Sequence, residues 1–70
     1  MTTEQLDNWF TYHALTPDQL PRYAAIRAAA RVFADVINEN VPDSADKTVA
    51  IRHIRDASMN ANAAIACGGK

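Results

Sequence analysis

This chain has few of the residues that small proteins use to stabilise themselves. Its 70 residues include one cysteine, two glycines, three prolines and five aromatic side chains. A single cysteine excludes an internal disulfide, and no cluster of cysteines and histidines indicates a structural metal. A chain of this length buries only about 60% of the surface that its unfolded form exposes. Oligomerisation is the remaining source of stability, so we expect a homo-oligomer.

The chain also lacks an excess of charge and a long apolar run. Its formal net charge is −1, whereas a protein that binds duplex nucleic acid usually carries a basic face. This charge is still compatible with a small anionic ligand held by one or two arginines. No apolar run approaches the ~20 residues of a membrane helix, and no signal peptide is recognisable. We therefore expect a soluble, cytosolic protein that contacts neither a membrane nor duplex nucleic acid.

The pattern of apolar residues predicts one all-α domain over residues 1–70. Thr2 and Gln5 have the spacing of a capping box, which predicts a short helix over residues 2–8. Residues 16–19 (Thr-Pro-Asp-Gln) are typical of a helix start, and a second helix is predicted from Pro17 to Asn40. Pro21 leaves that start open, because the helix could instead begin there.

Apolar stripes on two long helices predict a helical hairpin. Val41-Pro42-Asp43 interrupts the chain, Asp43 or Ser44 caps a third helix, and Gly68-Gly69 ends it. Two helices joined by so short a loop must lie antiparallel. The stripes step by three and four residues. They consist of Tyr23, Ile26, Ala30, Phe33 and Ile37 in the second helix, and of Ile51, Ile54, Ser58, Ala61 and Ile65 in the third.

Three of the five aromatic residues lie in one run, residues 9–13 (Trp-Phe-Thr-Tyr-His), just before the hairpin. A helix core does not need these rings there, and aromatic rings on a short segment can stack on a base. Phe10 and Tyr12 are therefore candidate ligand contacts, and His13 could donate to a phosphate or a base edge. Alternatively, Tyr12 packs over the seam between the long helices, and His13 bonds the first turn of the second helix.

Two arginines and an asparagine are further candidates on the hairpin. Arg27 and Arg31 lie one turn apart, and a guanidinium binds phosphate well through its forked donors. The alternative, which the sequence alone favours, is a solvated pair that bonds acidic residues of a neighbouring chain. Asn62, with Asn60, lies in mid-helix among alanines, where asparagine is a weak helix former. Either could bond across a helix interface or to a ligand.

Catalysis finds little support in the sequence. His13 and His53 lie far apart and no carboxylate cluster accompanies them, so we expect no metal site. Cys67 has no histidine at helical spacing, which argues against a thiol nucleophile with a base. There is no Gly-rich phosphate loop. The sequence therefore predicts no catalytic residue, no enzyme activity and no cofactor.

Several motifs together resemble those of phage anti-CBASS cyclic-nucleotide sponges of the anti-CBASS protein 2 type, whose helical hairpin also occurs in a sponge against Thoeris signalling. The resemblance spans Phe10 to about Ala66. Its motifs are residues 10–13 (FTYH), 22–27 (RYAAIR), 44–46 (SAD), 50–52 (AIR) and 61–66 (ANAAIA).

The resemblance implies a compact homohexamer of helical hairpins without catalytic activity. Such proteins hold cyclic dinucleotides, such as cyclic GMP–AMP, in pockets shared by two protomers, and can hold cyclic trinucleotides near a threefold axis. Sequestering the signal stops a bacterial antiphage effector in the cytoplasm of the infected host.

Carried over by position, the base-stacking tyrosine of these sponges falls on Tyr12 and their phosphate-binding lysine falls on Arg27. The guanidinium keeps the charge but replaces a point charge with a fork. Residues 14–15 (Ala-Leu) stand where relatives carry prolines, which implies a looser linker. Ala29, Asn62 and Lys70 are the candidates for a trinucleotide site.

Two functions remain as hypotheses. The first is a non-catalytic sponge for cyclic oligonucleotides. The second is a helical protein–protein interaction module, such as an assembly adaptor or an antitoxin-like partner, that binds no small ligand.

Overall fold

The protein consists of three α-helices and no β-strand, which confirms the all-α prediction. The computed structural model describes all residues, Met1–Lys70. Its helices are α1 (Thr3–Phe10), α2 (Leu20–Asn40) and α3 (Ala45–Ala66). The two long helices pack on each other, whereas α1 is joined to the end of the hairpin by hydrogen bonds and not by helix packing.

The predicted capping box at the start of α1 is confirmed. The backbone N–H of Gln5 donates to the Thr2 hydroxyl at 3.1 Å, and the backbone N–H of Thr2 donates to Oε1 of Gln5 at 2.9 Å. Two donors that the helix leaves unpaired are thereby satisfied. An eight-residue helix is nevertheless too short to be stable in water, so α1 depends on its docking.

The structure corrects the predicted start of α2 from Pro17 to Leu20. Residues 16–19 form a turn in which the N–H of Gln19 donates to the carbonyl of Thr16 at 3.0 Å. The Thr16 hydroxyl donates to the Asp18 carboxylate instead of capping the helix, and this bond lowers the pKa of Asp18. Pro21 takes the second helical position, where a missing N–H leaves no bond unmade.

Residues 41–44 connect α2 to α3, and one lysine ties the two helices together across this turn. Ser44 caps α3 by accepting a hydrogen bond from the N–H of Lys47 at 3.1 Å. The Lys47 ammonium donates to the carbonyl of Asn38 in the last turn of α2 at 3.0 Å, and to the Asp43 carboxylate at 2.9 Å. The same ammonium lowers the pKa of Asp43.

Glycines end α3 as the sequence predicts. Gly68 and Gly69 have φ angles of 67° and 78°, in the left-handed region that side chains with a Cβ rarely adopt. The N–H of Gly69 donates to the carbonyl of Ala64 at 2.8 Å, and that of Gly68 to the carbonyl of Ile65 at 3.2 Å. These two bonds make a Schellman motif, which satisfies carbonyls that the helix leaves free.

The long helices form the predicted antiparallel hairpin. The start of α2 meets the end of α3, where the Gln19 side-chain amide donates to the carbonyl of Ile65 at 3.5 Å. The apolar stripes are half-buried along the seam, with one difference: Phe33 is 57% exposed, and Ala34 is half-buried in its place.

No residue of the single chain is fully buried. The accessible surface is 5557 Å², against about 4,300 Å² for a compact protein of 7.7 kDa. The radius of gyration is 15.1 Å, against about 11 Å for a compact domain of this length. Large apolar side chains, Val32 and Phe33 among them, therefore remain in contact with water in a lone chain.

Candidate functional site

The aromatic run of the sequence becomes the end of α1 and the start of a linker. The linker, residues 11–15, has no regular structure, and none of its backbone groups pairs with another backbone group. Tyr12 lies in this linker with 88% of its surface exposed, and Phe10 at the end of α1 is exposed too. The structure therefore contradicts the alternative in which Tyr12 packs over the helix seam, and leaves its ring available to a ligand.

The side chains on either side of Tyr12 are anchored to α1. The Thr11 hydroxyl donates to the carbonyl of Asp7, and Nε2 of His13 lies 2.6 Å from the carbonyl oxygen of Asn8. Both carbonyls belong to the last turn of α1, where a helix leaves its acceptors unpaired. His13 thus bonds the end of α1, not the first turn of α2 that we considered as the alternative.

The end of α1 is in turn anchored to the end of α3. The Asn8 side-chain amide donates to the carbonyl of Cys67 at 3.1 Å, and the Trp9 indole N–H donates to the carbonyl of Lys70 at 3.2 Å. Sγ of Cys67 is also 3.8 Å from the carbonyl oxygen of Asn8. These contacts place the linker and its tyrosine beside the C-terminal end of the hairpin.

The fold brings Cys67 and His13 together, a proximity that our sequence reasoning missed. Sγ of Cys67 and Nε2 of His13 are 4.0 Å apart although 54 positions separate the residues. A carbonyl oxygen only accepts hydrogen bonds, so Nε2 carries the hydrogen that it donates to Asn8. That nitrogen therefore has no lone pair for the thiol proton. The geometry does not describe a nucleophile with its base.

The two candidate arginines differ in their surroundings. Arg27 is exposed on α2 and forms no ion pair within the chain. Nε of Arg31 lies 3.0 Å from a carboxylate oxygen of Asp35, one turn further along the same helix. The guanidinium of Arg27 is therefore the freer of the two for an anion.

The single chain has three shallow hollows, and neither Tyr12 nor Arg27 lines any of them. Phe10 lies beside Trp9 and Lys70 in a hollow of about 520 Å³ between α1 and α3. Ala29 lies in a different hollow, of about 370 Å³, along the hairpin. Ala29 and Lys70 therefore do not share a hollow within one chain.

Asn62 is the one candidate whose polar atom is enclosed. Its Oδ1 is shielded from solvent and has no hydrogen-bond partner within the chain. A buried acceptor left unpaired costs about 1–3 kcal/mol. Because this oxygen is shielded, a group outside the chain reaches it only if the surrounding side chains move.

Two further observations concern the molecule as a whole. No group of three or more histidine, cysteine, aspartate or glutamate side chains lies close enough together to hold a metal ion. None of the helices combines the length and the apolar character that crossing a bilayer requires.

Comparison with known protein families gives one result. A family described as the Acb2/Tad1 hairpin domain matches residues 2–66, nearly the whole chain. Searches of curated proteins and of solved structures found no significant match.

Proposed function

This chain belongs to the Acb2/Tad1 hairpin family, and from that membership we propose that it is a non-catalytic sponge for cyclic oligonucleotides. In this proposal the protein binds a cyclic dinucleotide second messenger, such as cyclic GMP–AMP, and releases it unchanged. The bacterial antiphage effector that responds to the messenger then stays inactive, in the cytoplasm of the infected host.

The observation that carries the proposal is the exposure of a tyrosine and an arginine that the chain itself does not use. Tyr12 extends from the linker into solvent, and Arg27 forms no ion pair on α2. A phenol ring can stack on a base, and a guanidinium can hold a phosphate through two parallel hydrogen bonds. These are the two kinds of group that a cyclic nucleotide presents.

A pocket between two copies fits this ligand better than a hollow within one chain. A cyclic dinucleotide has two bases, two phosphates and near-twofold symmetry. A twofold interface presents every side chain twice, so it would offer two tyrosines and two arginines to matching groups. The absence of Tyr12 and Arg27 from the hollows of the single chain supports a shared site.

The magnitudes favour a site to which two copies contribute over a site on one copy. Each stacked base contributes ~1–3 kcal/mol, and each charge-assisted hydrogen bond contributes ~1.5–3 kcal/mol. Lost translational and rotational freedom costs ~4–15 kcal/mol. Useful affinity therefore requires both copies to contribute, and a pocket that assembly has already formed.

The assembly that we propose is a homohexamer with twofold and threefold axes. A cyclic trinucleotide has threefold symmetry and would match the threefold axis by the same argument. Ala29, Asn62 and Lys70, the candidates that the family resemblance suggested for this site, are the proposed contacts there. Phe10 and Arg31 are secondary contacts for the dinucleotide.

A helical interaction module is the second candidate, and the exposed apolar side chains of α2 favour it. The apolar side chains of Val32, Phe33 and Val36 are all exposed to solvent in the single chain. A partner helix could cover them in place of further copies of the chain. This function would require no small ligand.

Calorimetric titration with a panel of cyclic di- and trinucleotides tests the proposal. We expect wild type to bind a cyclic dinucleotide, and mass spectrometry to recover the ligand unchanged. Tyr12→Ala should weaken binding about tenfold or more because stacking is lost, whereas Tyr12→Phe should bind normally because it keeps the ring. No binding across the panel would favour the interaction module, and linear products would indicate an enzyme.

A further inference from the structure

We propose that Thr11 and His13 are positioning residues that hold Tyr12 in place for its ligand, an inference that rests on the sponge function proposed above. Neither residue needs to touch the ligand. Each fixes the linker on one side of Tyr12 by hydrogen-bonding the end of α1.

The linker has no other means of fixing the tyrosine. Between Thr11 and Leu15 no backbone N–H or carbonyl takes part in a backbone hydrogen bond, and the segment contains no proline. Tyr12 itself is almost fully exposed, so packing does not hold its ring either. Such a segment would sample many conformations, and binding would bear the cost of ordering it.

The two side-chain bonds supply the missing restraint. They reach consecutive carbonyls, those of Asp7 and Asn8, from the two residues that flank Tyr12. Thr11 and His13 are thereby bonded to the last turn of α1, and the ring of Tyr12 between them remains exposed to solvent. His13 is half-buried, whereas Tyr12 is exposed. Nε2 of His13 already bonds the carbonyl of Asn8.

The end of α1, to which Thr11 and His13 are bonded, is itself held by the end of the hairpin. The Asn8 amide donates to the carbonyl of Cys67, and the Cys67 thiol approaches the carbonyl of Asn8. The position of Tyr12 therefore depends, through α1, on the C-terminal end of α3. His13 and Thr11 are the last step of this connection.

Nuclear magnetic resonance relaxation of the assembled free protein gives the first test. In wild type we expect a backbone order parameter at Tyr12 close to the ~0.85 of rigid segments, and in His13→Ala a fall towards the ~0.6 of flexible ones. Thr11→Val has nearly the same shape without the hydroxyl and should also loosen Tyr12. Thr11→Ser and His13→Gln keep a donor and should restore order. Unchanged order parameters in both loss variants would overturn the inference.

A double-mutant cycle with cyclic GMP–AMP as the probe gives the second test. His13→Ala should weaken binding about five- to tenfold in the wild-type chain, the usual effect of one lost hydrogen bond. In the Tyr12→Ala background the same change should have an effect below about twofold, because there is no ring left to position. Additive effects would mean that His13 contacts the ligand directly, and would overturn the inference.

The two tests separate this inference from the proposed function. If wild type does not bind the probe, the sponge proposal fails, and the relaxation experiment still decides whether Thr11 and His13 hold Tyr12. If wild type binds the probe and the effects of His13→Ala and Tyr12→Ala are additive, only the positioning role fails. Should His13→Ala fail to assemble, Thr11→Val carries both measurements.

Discussion

At the scale of the residue, Tyr12 is exposed, and His13 beside it is bonded to the end of α1. The exposed position of Tyr12 agrees with an aromatic ring that no helix core requires. The proximity of His13 and Cys67 was not predictable, because it depends on how α1 docks on α3 and no local spacing records that docking. Residue types report what a side chain can do, whereas partners across 54 positions are set by the fold.

Arg27 provides the sharpest test at this scale. Arg27→Ala should weaken cyclic-dinucleotide binding about tenfold or more, because a charge-assisted bond to phosphate is lost. Arg27→Lys keeps the charge without the fork, so we expect an intermediate loss of about two- to fivefold. Calorimetry with cyclic GMP–AMP would measure both.

Arg22→Ala is the matched control, since it removes an exposed arginine from the first turn of the same helix. It should bind the ligand as wild type does. An Arg27→Ala variant that binds normally would show that the anion is held elsewhere.

At the scale of the element, a helix end was predicted more reliably where the hydrogen bonds of one capping motif determine it. The capping box of α1 and the glycines after α3 act through their own backbone bonds, and both predictions are confirmed. The start of α2 was wrong by three residues because Thr16 had a competing partner in Asp18. Where a hydroxyl has two possible hydrogen-bond partners nearby, the spacing of residues alone does not show which partner it bonds.

The turn between α2 and α3 should show a pH dependence that one substitution removes. Lys47 lowers the pKa of Asp43, so the ion pair stabilises the folded state above the ordinary value of 3.8. That contribution is lost as the pH falls below 3.8 through the lower folded pKa. Denaturant titrations across this range should show a smaller acid-induced loss of stability for Asp43→Asn than for wild type.

Asp56→Asn serves as the control, because this carboxylate of α3 belongs to no ion pair in the chain. Asp18, whose pKa is also lowered, keeps its contribution in every variant. Identical acid profiles for wild type and Asp43→Asn would contradict the role given to Lys47.

At the scale of the whole molecule, the composition predicted that a single hairpin would leave apolar surface uncovered. Alanine makes up a fifth of the chain, and alanine-rich faces on both long helices cannot all be covered by one hairpin. The structure agrees, since no residue is fully buried and the accessible surface exceeds that of a compact chain. What the sequence could not give is which apolar residues face outward, because that depends on how the two helices are rotated about their axes.

Phe33 tests whether these outward residues hold copies together. Phe33→Asp should dissociate the assembly and lower the melting temperature, because a charge would be placed where apolar surface needs cover. Phe33→Leu keeps an apolar side chain at the same position and should leave the mass unchanged. Light scattering on the purified proteins distinguishes the two, and a wild-type mass near six chains would support the hexamer.

The lack of any fully shielded side chain has a consequence for the life of a single copy. If copies assemble as proposed, a newly made chain gains much of its protection only on meeting others, and its survival against proteolysis should rise steeply with the number of copies produced at once. Output from the gene would then act as a threshold: scarce copies are cleared, and abundant ones persist.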